Sequence, residues 1–474
     1  MDEIKLSDYV YEQIKDFPHQ LLTEKQKSLI DKLITDEELK EHYKKNGLCE
    51  NCKQPKTSYN YCQSCESQRF QQNFQCWTSE NHDIDKFIQK AQLNAKNINK
   101  IIEWIDYDKF EDVEYLAEGG FGTTYKAVWK DGPMWNWDHE NNRWRRKPKT
   151  KVALKCLHNS KDITANFLKE VESNILVYNS SWIVRCFGIT KDKTNKFMMV
   201  MDFKNGNLRQ HLDNNFISLN WKQKMWGIHV IAYGLKDIHS KGLIHHDFHC
   251  GNILSNFYNS AYITDLGLCQ PENVEFSQCS NEKIYGVVPY MAPEVLRGKY
   301  TQASDIYGFG IIAYEICTGL PPYYDIAHDE YLAMKICQGL RPKSNYNIPQ
   351  LIFDVINQCW DADPSKRPKA DELQKLFYHE LYYKFEYKGS RIYEQVGKVD
   401  EANKKSSFSV QPPISYTSHP KAVYTNRFLD FKNLPEPKNA DNNDGIEYSD
   451  SLRIDFTINS KDEKNQPRFT LNEI

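Results

Sequence analysis

An α+β fold, a small β-sheet followed by a mostly helical half, is what the hydrophobic patterning of this chain predicts. Two changes of periodicity carry the prediction. From about residue 110 to 203 the apolar residues fall in short alternating runs, "YLAEGG", "TTYKAVW", "VALKCL" and "FMMVMDF", separated by turn residues. That period of two is the signature of strands. After Gly206 the spacing becomes helical. "WKQKMWGIHVIAYGLKDIHS" sets Trp221, Met225, Ile228, Ala232, Leu235 and Ile238 on one stripe. "SDIYGFGIIAYEICTG" is apolar nearly all round, as a fully buried helix is.

The flanks divide by composition, and 474 residues suffice for two or three domains. Residues 1–46 are charged and loosely amphipathic, a helical N-terminal segment; 47–68 hold two close cysteine pairs. Residues 69–107, with "DIDKFIQKAQLNAKNINKIIEWID", read as a helical linker that packs on the sheet. Residues 384–474 are rich in Asn, Ser, Lys and Pro. They are expected to be a mostly disordered polar tail, with too little apolar surface to offset ordering entropy.

A net charge of −3 gives no reason to expect nucleic acid or an anionic membrane as partner. The longest apolar runs are too short to span a bilayer. The opening "MDEIKLSDYV" lacks the charged start and apolar core of a secretory signal. Thirteen cysteines, an odd number, fit a reducing compartment, cytoplasm or nucleus, better than a disulfide framework.

The residues that carry chemistry follow in order. "LAEGGFGTTYKAVW" is a strand, glycine turn and strand, in which backbone amides can close over phosphate oxygens. "VALK" puts Lys155 on the next strand, and fifteen residues on "FLKEVES" puts Glu170 on a helix. "LIHHDFHCGNIL" supplies Asp247 and Asn252, and "ITDLGLC" supplies Asp265. An Asp and an Asn converging there can hold magnesium ions beside nucleotide phosphates. "MAPEVL" with Glu294, then Asp305, then "CWDADPSKRP" with Arg367 complete the series.

Taken in this order the motifs resemble a eukaryotic protein kinase over roughly residues 108–383. "CGN", "IYGVVPYMAPE" and "CWDADPSKRP" are similar to the tyrosine-kinase-like group. The resemblance implies a two-lobed fold, with an antiparallel-sheet N-lobe to about residue 203 and a helical C-lobe over 204–383. It implies ATP-dependent transfer of a γ-phosphoryl group to serine or threonine hydroxyls of a protein substrate, in preference to tyrosine, in intracellular signalling.

By the same resemblance Gly119, Gly120, Phe121 and Gly122 cover the phosphates, and Thr124, Ala153 and Met201 line the adenine pocket. Asp202, Phe203 and Lys204 form the hinge, and Lys155, paired with Glu170, contacts the nucleotide. Asp247 orients the attacking hydroxyl and takes its proton; Asn252 and Asp265 bind Mg²⁺. Glu294 pairs with Arg367, and Asp305 braces the catalytic loop.

The chain departs from the family pattern at Ala117, Thr124, Asn174, His246, His249 and Val287. His246 stands for an Arg that pairs with an activation-segment phosphate, so weak dependence on such a phosphate is expected. His249 stands for a Lys near the γ-phosphate. Neither removes the base, the metal ligands or the Lys–Glu pair, so a working enzyme is expected. A nucleotide-binding pseudokinase scaffold and a zinc-dependent adaptor remain the other readings.

Cys49, Cys52, Cys62 and Cys65 form C-x2-C-x9-C-x2-C. Two facing knuckles of this kind make a closed four-thiolate site for structural Zn²⁺, a zinc-ribbon-like module. A similar head precedes the kinase domain in some expanded fungal kinase families, and a peptide or protein is its expected partner. The Trp- and Arg-rich stretch 129–147 is read as a long hairpin on the small lobe in preference to a nucleic-acid site. Cys250 reads as a small buried residue rather than a redox handle, and "AVYTNRFLDF" in the tail is a candidate docking peptide.

Overall fold

Strands form where the alternation is strictest, and a computed structural model shows how they assemble. It describes residues 5–119, 122–138, 140–157, 165–178, 182–255, 260–271, 284–344, 346–405, 416–431 and 433–440. The chain divides into two units, Met1–Gly206 with Tyr262–Cys269, and Asn207–Ala261 with Gln270–Ile474.

The first unit opens with helices α1 (Asp8–Ile14), α2 (Glu24–Leu33) and α3 (Glu37–Asn46). Ser7, Thr23 and Asp36 cap them, each side chain accepting from a first-turn amide. Their apolar faces enclose Ile14, Ile30, Ile34 and Tyr43. Helix α4 (Gln63–Asn73) begins at the second cysteine pair, and α5 (His82–Asn94) follows it.

The main sheet is built from β1 (Glu103–Trp104), β2 (Phe110–Gly119), β3 (Gly122–Trp129), β6 (Thr150–Leu157), β7 (Cys186–Lys191) and β8 (Phe197–Asp202), in the order β1-β7-β8-β6-β3-β2. The pairs from β7 to β2 are antiparallel, but β1 runs parallel to β7. The sheet is therefore mixed rather than purely antiparallel.

The predicted linker helix stops at Asn94, and the linker goes on to become a strand of the sheet. Ile101, Ile102 and Ile105 are buried, and the Gln92 carboxamide donates to Ile102 O at 2.9 Å. Gly188 permits the approach: a Cβ there would stand 2.1 Å from Glu103 O. Burial of β-branched residues at a sheet edge outweighs their helical spacing.

Between β3 and β6, β4 (Met134–Asp138) and β5 (Arg143–Arg146) form the expected hairpin. Its aromatic face is taken up by α4. Phe70 stacks on Trp144 at 5.4 Å between ring centres, with Trp137 edge-on to Trp144 at 5.3 Å, and the Arg69 guanidinium lies 4.2 Å from the Trp137 ring centre. The cysteine-bearing segment, linker and hairpin thus share one apolar cluster. Helix α6 (Ala165–Val177) completes the unit.

The second unit is mostly helical: α7 (Leu208–Asn215), α8 (Trp221–His239), α9 (Gln302–Thr318), α10 (Glu330–Cys337), α11 (Gln350–Cys359), α12 (Ala370–Lys375) and α13 (Arg391–Lys405). Capping boxes from Asn207 and Asn220 start α7 and α8. The whole predicted stripe of α8 is buried, as is every residue of α9 from Ser304 to Thr318. Between α8 and α9 the chain passes through β9 (Leu243–Ile244), β10 (Ile253–Ser255), β11 (Ala261–Ile263), β12 (Gln270–Pro271) and β13 (Ile284–Gly286).

The tail expected to be disordered carries structure in its described parts. Helix α13 buries Ile392 and Val396, and Trp221 Nε1 donates to Asp400 at 3.0 Å. Farther on, β14 (Arg427–Leu429) pairs with β13. Sparse apolar residues suffice here because each finds a prepared surface. No helix of the described residues is long and apolar enough to cross a membrane.

Trp129 is 1% exposed at the centre of the sheet core with Phe110, Val152 and Phe187. Trp129→Ala is expected to cost about 3–5 kcal/mol, read as a lower urea midpoint of the sheet unit.

Candidate active site and four-cysteine cluster

In the first unit the β3–β6 register sets Thr124 opposite Lys155, and the β6–β8 register sets Ala153 opposite Met201. Gly122 is required, since a Cβ there would stand 2.2 Å from Cys156 O. At Gly119 a Cβ would meet only Gly122 O, at 4.0 Å, and Gly120 and Phe121 lie outside the described residues. Past β8, Lys204 pairs with Asp202 at 2.6 Å and lies over the Tyr262 ring.

Lys155 Nζ sits between two carboxylates, 2.7 Å from Glu170 Oε1 and 2.9 Å from Asp265 Oδ1. Burial works to lower the Lys155 pKa, but Asp265 and Glu170 outweigh it and the ammonium is held charged. Burial and the nearby Asp265 push Glu170 upward, opposed by Lys155. The sequence reading placed 204–383 in one lobe, yet Tyr262–Cys269 belongs with the sheet unit. Val184 N donates to Ile263 O and Ile263 N to Trp182 O, both at 2.9 Å. Asp265 itself adopts a left-handed backbone, φ 62°.

Glycine at 267 fits this corner, because a Cβ there would stand 2.7 Å from Glu170 Oε2. Asn174 is buried below, its amide 3.5 Å from Glu170 O and its Oδ1 without a hydrogen-bond partner among the described residues. That orphaned oxygen marks the cost of placing a polar residue at an apolar position.

In the second unit Asp305, 3% exposed, gathers three donors. His245 N lies at 2.7 Å, His246 N at 3.2 Å and His239 Nε2 at 2.9 Å. Burial works to raise the Asp305 pKa, but the His239 contact and the other donors hold it low. This anchor fixes the turn in which His246 takes φ 71°. The His246 ring lies 4.5 Å from that of Tyr300.

Asp247 follows. Asn252 Nδ2 donates to Asp247 O at 2.9 Å and to its Oδ2 at 3.1 Å, and His249 Nε2 lies 3.4 Å from Oδ2. Burial alone would raise the Asp247 pKa; His249 leads the groups that lower it to about 2. The carboxylate is therefore ionised across the physiological range. Glu294 and Arg367 form a buried two-pronged pair, 2.6 and 2.8 Å.

Asn252 and Asp265 fall in different units. Each fits a hard cation by its own chemistry. Asn252 spends its NH₂ on Asp247, which leaves its carbonyl oxygen as donor, and Asp265 engages Lys155 through Oδ1, which leaves Oδ2.

A network that the motifs did not announce lies under the catalytic loop. Glu315 is fully buried, bound by Arg209 Nη1 at 2.5 Å and by the Tyr290 hydroxyl at 2.7 Å. Its three members are over 100 residues apart at the widest in sequence, and no local spacing signals them. Cys250 is 1% exposed, and burial with nearby Glu315 pushes its thiol well above the usual range. Its chemistry is that of an inert small residue.

The four cysteines meet. Cys49 Sγ lies 3.7 Å from Cys65 Sγ, Cys52 Sγ 3.4 Å from Cys62 Sγ, and one ligand atom from each falls within 4.8 Å of the others. Sulfurs bound at about 2.3 Å around one tetrahedral zinc ion would stand about 3.8 Å apart, so the spacing fits. The first pair is a knuckle closed by Cys49 N to Gln54 O and Lys53 N to Cys49 O. The second is not a knuckle: Cys62 and Cys65 sit at the start of α4.

These features define a protein kinase domain, and the comparison with known families agrees. The family model "Protein tyrosine and serine/threonine kinase" matches residues 110–377, and the chain belongs to that family. A Dictyostelium discoideum protein named "Probable serine/threonine-protein kinase" is 27% identical over 325 residues, 65% of this chain and 17% of its own length. The human "Dual serine/threonine and tyrosine protein kinase" is 36% identical over 150 residues, 31% of this chain and 16% of its own. The chain thus spans less than a fifth of the length of these relatives.

Glu294→Gln leaves a buried guanidinium short of its counter-charge and is expected to cost about 3–5 kcal/mol. The readout is urea unfolding, with Glu294→Asp as a partial rescue.

Proposed function

We propose that the chain is an active protein kinase that transfers the γ-phosphoryl group of ATP to serine or threonine hydroxyls. It would belong to the tyrosine-kinase-like group, act in intracellular signalling, and sit in the cytoplasm or nucleus. The observation that carries the reading is the state of Asp247: a buried carboxylate, ionised, with Asn252 and His249 around it. A base must be within reach and deprotonated before the hydroxyl can attack.

In this reading the glycine turn and the hinge residues Met201–Lys204 receive the nucleotide, and Lys155 holds its α- and β-phosphates while Glu170 holds Lys155. Asp247 orients the acceptor hydroxyl and takes its proton. Asn252 and Asp265 are the ligands assigned to magnesium, which supplies charge neutralisation on the phosphates. Glu294–Arg367 and Asp305 keep the acceptor side rigid. Catalysis comes from positioning and charge. His249 beside Asp247 substitutes for the family lysine as a donor toward the transferring group.

The serine/threonine preference rests on the catalytic-loop wording "DFHCGN" and on the first relative's name. The dual-specificity relative makes tyrosine the acceptor to test beside them. We further propose that Cys49, Cys52, Cys62 and Cys65 hold one structural zinc ion. The module then presents a protein-binding surface while bracing the hairpin behind it.

Transfer from labelled ATP to a generic protein substrate should fall about 10²–10⁴-fold in Asp247→Asn. Equal rates in the two proteins would leave the pseudokinase reading in its place. Metal analysis after reducing purification should find one zinc per chain, lost in Cys49→Ser with a lower melting temperature. A metal-free wild-type protein refutes the zinc site.

A further inference from the structure

The segment singled out in sequence as a docking peptide is docked on its own chain. Within the second unit, β14 pairs antiparallel with β13: Ile284 opposite Leu429, Tyr285 opposite Phe428, Gly286 opposite Arg427. Leu429 is 4% exposed, and the Phe428 and Tyr285 rings lie 5.7 Å apart. The segment is held on both sides of this strand. Before it, His328 N donates to Lys421 O at 3.1 Å, and the Tyr424 hydroxyl donates to Pro322 O at 3.0 Å. After it, Glu436 pairs with Arg297, and Lys438 N donates to Cys337 O at 2.9 Å.

The β13–β14 ladder ends at the Gly286–Arg427 pair, and the next residues beyond it are Asn426 on one side and Val287 on the other, where the chain enters the buried run toward Glu294. Both polar atoms of Asn426 are shielded from solvent. Gly286, Val287 and Asp247 line one cavity, and the Asn426 carboxamide hydrogen-bonds the Asp247 carboxylate there and helps to hold it ionised. A sheltered amide held against the base stands where a reacting group would stand. A carboxamide nitrogen is too weak a nucleophile to react there.

We propose that residues 416–431 are a pseudosubstrate held in cis: they fill the acceptor-peptide track of the catalytic unit, with Asn426 at the place of the residue to be phosphorylated. Strand addition gives affinity through the main chain while side chains give selectivity. A tethered segment acts at an effective concentration in the millimolar range, of order 10⁻³ M, so modest contacts suffice. The acceptors this track takes are extended peptides in which a hydroxyl residue is followed by Arg, an aromatic residue and Leu, as 427–429 are. Another aromatic residue comes two places before it, as Tyr424 does.

The phosphorylation arm rests on the kinase reading; the occupancy of the track does not. In Asn426→Ser the new hydroxyl oxygen would bond to the γ-phosphorus as its proton passes to Asp247. The bond from the γ-phosphorus to the β,γ-bridging oxygen breaks, and ADP leaves. Mass spectrometry should find phosphate on residue 426, at a rate independent of chain concentration. No phosphate there while an added peptide is phosphorylated overturns the proposal, and so does a rate rising in proportion to chain concentration, which would place the segment on a second copy.

The full-length Leu429→Asp variant should lower the KM for added peptide about tenfold and leave the KM for ATP unchanged. An unchanged peptide KM counts against the proposal. If no acceptor takes phosphate at all, the kinase reading has failed and hydrogen exchange decides the tail's place. Amides of Ile284–Gly286 should exchange at least about tenfold faster in Leu429→Asp than in wild type, and equal exchange refutes the docking.

Discussion

The helical unit hangs from one buried carboxylate. Asp305 lies inside a helix that is buried on all sides, where an isolated ionised group would cost several kcal/mol. Three N–H donors converge on it, and two of them are backbone amides of the catalytic loop. Satisfying Asp305 and shaping the loop are therefore the same act. The left-handed residue at His246 costs of order 1–3 kcal/mol, and the loop bears that strain because releasing it would strand Asp305. Asp247, Asn252 and His249 follow within six residues of this turn, so their mutual geometry inherits its rigidity.

The sheet unit solves the matching problem with opposite signs. One ammonium, Lys155, is shared by two carboxylates that reach it from α6 and from the stretch after β11. Neither carboxylate would be tolerable so close to the other without it. This ion cluster, together with the backbone bonds of Ile263, explains why a segment distant in sequence belongs to this unit. Asn174, with an unbonded carbonyl oxygen beneath Glu170, is the weak point of that arrangement.

The kinase domain was legible in the sequence because each of its motifs demands a particular functional group at a nearly fixed spacing. Lys155 with Glu170 and Glu294 with Arg367 form the pairs their motifs imply within their own units. The α8 stripe and the buried α9 were legible because burial imposes a period. What escaped reading depends on contacts between distant residues. Strand β1 looked helical because Ile101, Ile102 and Ile105 fit either period, and only the bare backbone at Gly188 lets that strand in. The Arg209–Glu315–Tyr290 network and the seat of Asn426 are likewise set by partners over 100 residues away. The tail read as unstructured because composition counts its own apolar residues and ignores the surface that receives them.

The parallel pairing of β1 with β7 changes what the preceding hundred residues are. They do not form a bead on a flexible tether, since the path from the cysteine cluster runs through a shared apolar cluster straight into the sheet. A polypeptide begun at residue 108 would bare the outer rim of β7 and uncover part of the hairpin. Unsatisfied rims of that kind invite other chains to add to them, so a shortened chain of this sort would trade solubility for simplicity.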